Sequence, residues 1–349
     1  MSPLELLIAS QLSKKHKKHI QFMLKNELPK IGNISYCSNG VDNCRIFQNQ
    51  TVEIVAIKPV FDSTFWRTIR SKMFGKELEC RIRSKKPLFI FCEKEHGPSL
   101  LKSIHKEIYS LFGRRVTYEL RETETGKHIP KLPHITKANL FLDTSQNPQE
   151  LISFFDICPK QMDWLSIHPK ILQLDRPLNF PEVQELQITA PTNNKDFLEN
   201  FNGKILNLLW TRFNTDDIIQ FLKYWKAGNR YQNLEYFDID HGKHMCDPVR
   251  IMDEMNIRKF HEDFEPPAHP SWTRETWHHG GIIDFRPTNF CSNTYIERES
   301  DGHVAYVHVT SQTVTFAVWN MTLEQLREYE PLPSNNHRYC IFLKGRILN

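Results

Sequence analysis

Apolar positions recur along this chain in a short motif. Ile205, Leu208 and Trp210 have an apolar-x-x-Leu-x-apolar spacing, and so do Leu234, Phe237 and Ile239. Val183, Leu186 and Ile188 repeat it, as do Met162, Leu165 and Ile167, with a partial copy at Leu140 and Leu142. The fourth position of each copy falls at Leu140, Leu165, Leu186, Leu208 and Phe237, giving intervals of 25, 21, 22 and 29 residues. Leucine-rich-repeat-like solenoids have periods of roughly 20–29 residues, and in them a short strand lines a curved parallel sheet while a return segment covers its back. Ordinary β-α-β packing with coincidental spacing would leave the same residues, and that alternative stays open. Either way the side chains alternate. Leu165, Ile167, Leu186, Ile188, Leu208, Trp210, Phe237 and Ile239 are expected to face a core. Trp164, Ser166, Glu185, Gln187, Asn207, Leu209, Tyr236 and Asp238 are expected to face outward in one strip.

A helix is predicted between the last two copies. Asn214 suits its N-cap, Asp216 and Asp217 its first turn, and Ile218, Ile219, Leu222 and Trp225 one apolar face, with Gly228 as a left-handed stop. Strand, helix, strand is the unit of an α/β fold. Residues 2–24 also read as helical, with Leu4, Leu7, Ile8 and Leu12 at helical spacing. Thr51–Ile57, Pro87–Cys92 and Val116–Leu120 read as strands. Ser99–Phe112 reads as a helix capped by Ser99 and stopped by Gly113, and Pro148–Phe155 as another. The segment 31–50 is weakly patterned, and Arg121–Lys131 and 240–292 read as loop-rich. Asp301-Gly302 between Asn293–Glu299 and Val304–Val309 is a hairpin signal, and Val314–Trp319 continues it as a third strand.

Composition narrows the class. Of 349 residues, 40% are hydrophobic and 25% charged, which is globular rather than disordered. A formal net charge of +4 is too small to imply nucleic acid. The run Lys14-Lys-His-Lys-Lys-His19 fits a basic recognition patch, or simply the solvated face of a helix. Eight cysteines without a Cys-x-x-Cys pair, and no signal peptide, predict reduced thiols in the cytoplasm or nucleus. No apolar run reaches the roughly 18 residues needed to cross a bilayer, so no membrane contact is expected.

No catalytic motif stands out. His241, His244 and Cys246 are metal-binding types but lack a fourth ligand at standard spacing. Adjacent His278 and His279 point to opposite sides of an extended chain. His105 and Glu107 lie on a predicted helix with no nucleophile nearby in sequence. The expectation is a protein that is not an enzyme, without metal or cofactor.

Three segments together resemble a known family. Trp210–Ile239, containing Phe221-Leu-Lys-Tyr-Trp-Lys and Leu234-Glu-Tyr-Phe-Asp-Ile, resembles the F-box-associated domain, type 2, of the large nematode F-box protein family. Met1-Ser-Pro-Leu-Glu-Leu-Leu through Ser10, with Ser13-Lys-Lys, resembles the second half of an F-box. Tyr295-Ile-Glu-Arg, Asp301-Gly-His-Val-Ala and Phe316-Ala-Val-Trp resemble that family's C-terminal hairpin.

The resemblance implies a division into a partial helical F-box at 1–28 and a target-recognition domain at 29–349. The expected fold is α/β, with leucine-rich-repeat-like strand–helix units in a curved, mostly parallel sheet and a C-terminal antiparallel meander. It implies a substrate-recognition adaptor of an SCF-type (Skp1–cullin–F-box) E3 ubiquitin ligase. Pro3, Leu4, Leu7 and Leu12 would meet Skp1, weakly because the F-box is incomplete. Trp164, Glu185, Gln187, Asn207, Leu209, Tyr236 and Asp238 would meet a protein target. The alternative is a binding or scaffold protein that works without Skp1.

Overall fold

The computed structural model describes residues 3–27, 32–38, 44–49, 52–59, 69–81, 87–122, 129–142, 153–156, 160–169, 182–189, 196–242, 245–274 and 285–329. The chain divides into two compact units, Met1–Val183 and Gln184–Asn349. The expected boundary at residue 28 lies outside the described residues. Among the described residues no helix is long and apolar enough to cross a membrane.

The first unit begins with a helical hairpin, α1 (Pro3–Ser10) and α2 (Lys14–Glu27). Strands follow: β1 (Asn33–Ser38), β2 (Cys44–Gln48), β3 (Val52–Pro59), β4 (Ile69–Met73), β5 (Lys76–Arg81) and β6 (Leu88–Cys92). After α3 (Gly97–Phe112) come β7 (Thr117–Glu122), β8 (Lys137–Leu142) and β9 (Gln161–Pro169). Within this unit the strand order is β9-β8-β7-β1-β2-β3-β6-β5-β4. Strands β1, β7, β8 and β9 run parallel, as do β3 and β6, while the β2 and β5 pairings are antiparallel.

Helix α3 buries Leu100, Leu101, Ile104, Ile108, Leu111 and Phe112, the face its spacing predicts, and ends at Gly113 with φ 64°. It starts earlier than Ser99, because Pro98 is suited to the first turn. The turn Phe74-Gly75 has φ of 53° and 77°, positive at both central positions of a two-residue hairpin loop.

The second unit holds β10 (Glu182–Thr189), α4 (Asp196–Glu199), β11 (Ile205–Leu209), α5 (Thr215–Lys226), β12 (Tyr236–Asp240) and α6 (Pro248–Met255). Then come β13 (Arg258–Lys259), β14 (His269–Arg274), β15 (Phe285–Phe290), β16 (Thr294–Glu297), β17 (His303–Val309), β18 (Thr313–Thr322) and α7 (Leu323–Arg327). The order here is β10-β11-β12-β18-β17-β16-β13, with β14 and β15 as a separate pair. Strands β10, β11 and β12 are parallel. Strand β18 joins β12 antiparallel and continues into the expected meander with β17 and β16.

The fold is therefore α/β, but the expectation of a mostly parallel sheet is corrected to a mixed one. Antiparallel pairs outnumber parallel ones among the described strands, because tight hairpins fill stretches where repeats would need helical returns.

The predicted core positions hold with one exception. Leu165, Ile167, Leu186, Ile188, Leu208, Phe237 and Ile239 are all buried. Helix α5 lies over those of the second unit, with Phe221 stacked on Phe237 at 4.1 Å. Its N-terminus is a reciprocal capping box between Asn214 and Asp217, and Gly228 takes φ 71° after its last turn. Trp210 is the exception: it is 57% exposed with φ 59°. Strand β11 ends at Leu209, and the left-handed residue turns the chain before the alternation can carry the indole inward.

Register also departs from the aligned repeat. Leu206, not Leu208, sits between Leu186 and Phe237, a slip of two residues. Because side chains alternate with period two, a two-residue slip keeps every residue on its expected side.

Candidate interaction surfaces

In the first unit the helical hairpin is tied down by its inner side. Leu7 is fully buried, and α1 packs on α3 and β3. Gln11 Oε1 accepts from the Phe74 amide at 3.0 Å, Gln21 Nε2 donates to the Ser110 carbonyl at 2.6 Å, and Lys17 pairs with Glu107. Of the residues expected to meet Skp1, Leu7 is thus spent on the chain's own core, Leu4 is half-buried, and Leu12 is 71% exposed. Pro3 opens α1, and its side chain lies outside the described set. Phe22 and Met23, which were not singled out from sequence, are 65% and 55% exposed on the outer side of α2. At about 100° per residue in a helix Phe22 falls opposite Ile20, and Met23 on the flank between them.

The sheet of the first unit has its own outward side. Register aligns Ser35, Glu119, Lys137 and Trp164 in one row, and Cys37, Arg121, Asn139 and Ser166 in the next. Glu119 accepts from Ser35 Oγ at 3.0 Å and from Arg121 Nε at 2.9 Å. Ser166 Oγ lies 2.8 Å from His168 Nε2, and that ring stacks on Phe141 at 4.4 Å. This resembles a nucleophile–base pair, yet Ser166 is fully buried, so its hydroxyl has no access to a substrate. Desolvation pushes the Cys37 thiol up to about 11, which keeps it protonated and unreactive near neutrality. Trp164 is buried as well, so the expectation that it faces water is not met.

In the second unit the predicted outward residues do share one side, in three rows set by register. Glu185, Ile205, Tyr236, Ala317, Tyr306 and Tyr295 form the first row. It is covered: Tyr236, Tyr295, Tyr306 and Trp319 are buried in an apolar cluster that Phe260, Phe264 and Leu323 pack against. Burial pushes the Tyr236 hydroxyl far above its ordinary range. Tyr236 is therefore a core residue, and the loop-rich segment after α6 supplies part of its cover.

The second row is polar throughout: Gln187, Asn207, Asp238, Thr315 and His308. Asp238 Oδ1 accepts from Thr315 Oγ1 at 2.7 Å. Gln187 is buried, Asn207, Asp238 and Thr315 are half-buried, and His308 is exposed. Thr189, Leu209, Asp240 and Thr313 make the third row, all half-buried. At its edge Asp240 Oδ1 accepts from the Gly242 amide at 2.7 Å, and the Trp210 indole leans on Gly242, where an added Cβ would come within 3.3 Å of Trp210 Cδ1. Sequence reasoning found Gln187, Asn207 and Asp238 but missed Thr315 and His308. Continuing the alternation through the meander would have placed both on the same side.

The metal-type residues separate. Cys246 Sγ donates to the Thr310 carbonyl at 3.2 Å, His241 is fully buried with its amide on Gln312, and His244 lies outside the described residues, as do His278 and His279. Among the described residues no group of three or more His, Cys, Asp or Glu could hold a metal ion. His105 is a core residue, with Nδ1 2.7 Å from the Tyr36 hydroxyl and Nε2 2.6 Å from the Pro133 carbonyl. No family model, curated protein or solved structure matches this chain.

Proposed function

We propose that this protein is a non-catalytic adaptor that joins a protein target to an SCF-type ubiquitin ligase. The observation that carries the reading is a division of labour along the chain. A helical hairpin leaves Leu12, Phe22 and Met23 in solvent, while a separate unit carries a polar row of Gln187, Asn207, Asp238, Thr315 and His308. The resemblance of Met1–Lys15 to half an F-box assigns the hairpin to Skp1, and the resemblance of Trp210–Ile239 assigns the second unit to the target. The strand–helix repeats of β8 to β12 would be a leucine-rich-repeat-like element within the mixed fold.

The test is direct binding of purified Skp1 to the full chain. Leu12→Asp should abolish it with little change in the melting temperature, since Leu12 is 71% exposed. Leu7→Asp is uninformative here, because a carboxylate at a fully buried position would disrupt the first unit. Wild-type protein that fails to bind Skp1 yet still holds a defined target would favour the Skp1-independent alternative.

A further inference from the structure

We propose that the outer stripe of α2 docks on an acidic protein surface, with Lys15, Lys18 and His19 set against carboxylates and Phe22 and Met23 seated in apolar recesses. This inference rests on the adaptor reading and names the chemistry the adaptor must present to α2.

One side of α2 is already engaged within the first unit. Lys17 pairs with Glu107, Gln21 binds the Ser110 carbonyl, and Ile20 is buried, so the side at 17, 20 and 21 belongs to the first unit. At about 100° per residue, Lys15, Lys18, His19 and Phe22 fall on the opposite side, with Met23 beside them. All five are exposed. From Lys14 to Met23 the helix contains no acid, and among the described residues Lys14, Lys15 and Lys18 enter no ion pair. Two large apolar side chains thus stand in water inside a cationic stripe. That combination has its complement in a surface that is both acidic and recessed. A lipid surface fits less well. An interfacial helix needs a continuous apolar face, and the exposed side of α2 offers only Phe22 and Met23 among lysines and histidines.

The test titrates purified Skp1 into the full chain at about 0.1 M and about 1 M salt, between which the screening length falls from about 10 Å to about 3 Å. Wild-type affinity should fall with salt. Lys15→Glu with Lys18→Glu should bind at least about tenfold more weakly at low salt and lose most of the salt dependence. Phe22→Ser should bind about tenfold more weakly with the wild-type salt slope intact. A circular dichroism melt matching wild type confirms that neither variant acts through unfolding. Skp1 binding that ignores both substitutions would overturn this inference and leave the adaptor reading standing. No Skp1 binding by wild type would overturn both. Binding to phosphatidylserine vesicles, lost in the lysine variant and without Skp1 binding, would assign the stripe to a membrane instead.

Discussion

His105 offers a sharp test of how the first unit is built. The ring sits on α3 at 1% exposure, edge-on to Tyr36 at 5.2 Å and to Tyr118 at 5.5 Å. The Pro133 carbonyl can only accept, so Nε2 carries the proton and Nδ1 accepts from Tyr36. Both ring nitrogens are satisfied in the neutral form, and a second proton on Nδ1 would break the bond that Tyr36 donates. Desolvation therefore holds the imidazole down to about 4 from 6.5, with His134 adding to the effect. Between those values the unfolded chain binds more protons than the folded one, so stability is full above pH 6.5 and falls as pH drops. The loss is about 2 kcal/mol by pH 5 and approaches about 3 kcal/mol near pH 4. His105→Gln keeps a donor and an acceptor at similar positions but does not titrate. Urea or thermal unfolding of wild type and variant from pH 7 to pH 4.5 should diverge below pH 6.5, with the variant flatter. Parallel curves, or an imidazole titrating near 6.5 by NMR, would refute the reasoning.

Other perturbations read out separate parts of the fold. Leu208→Ala removes a fully buried side chain and should cost about 2–5 kcal/mol, whereas Leu209→Ala on the half-buried side should cost clearly less; equal losses in denaturant midpoint would contradict the assigned facing. Gly228→Ala places a Cβ at φ 71° into the Ser300 side chain and should cost about 1–3 kcal/mol, part of it recovered by Ser300→Gly; an unchanged melting temperature would refute the clash. Arg298, 4% exposed, grips Asp301 through Nε and Nη2, contacts His303 and the Gln232 carbonyl, and lies 5.2 Å from the Trp225 ring. Arg298→Ala should cost about 3 kcal/mol, and hydrogen exchange should show it as faster opening of the β16–β17 hairpin.

What was legible in the sequence was whatever local chemistry dictates. The Asn214 cap, the Gly113 and Gly228 stops, the Asp301-Gly302 turn and the apolar faces of α3 and α5 are each decided within a few residues. Strands β1, β2, β4 and β5 escaped notice because long-range pairing holds them rather than their own pattern. Ser35 and Arg45, for example, become strand residues only beside Glu119 and Ala56. The facing of the outward residues was legible, but their exposure was not. Alternation says which side Tyr236 takes; the covering Phe260 and Leu323 come from segments with no periodic signal.

Two kinds of buried polar group among the described residues contrast with one another. His105 with Tyr36 and Pro133, and Arg298 with Asp301, His303 and Gln232, are circuits that tie distant segments together. Their worth is structural, because removing one member leaves another without its partner. The outward side is different. Asn139 Oδ1, on the outward side of the first unit's sheet, and Thr211 Oγ1, past the end of β11 in the second unit, are buried without a hydrogen-bond partner among the described residues. Each such atom costs about 1–3 kcal/mol. The core side carries a similar orphan at Trp225 Nε1, but there the indole ring fills the packing against Phe316 and Arg298. No such packing gain attaches to an amide or hydroxyl. A sequence selected for stability alone would place valine at 139 and 211. On the first unit's sheet Asn139 shares its row with Cys37, Arg121 and Ser166, and a polar atom kept there at a cost in stability is what a surface under selection for recognition would carry.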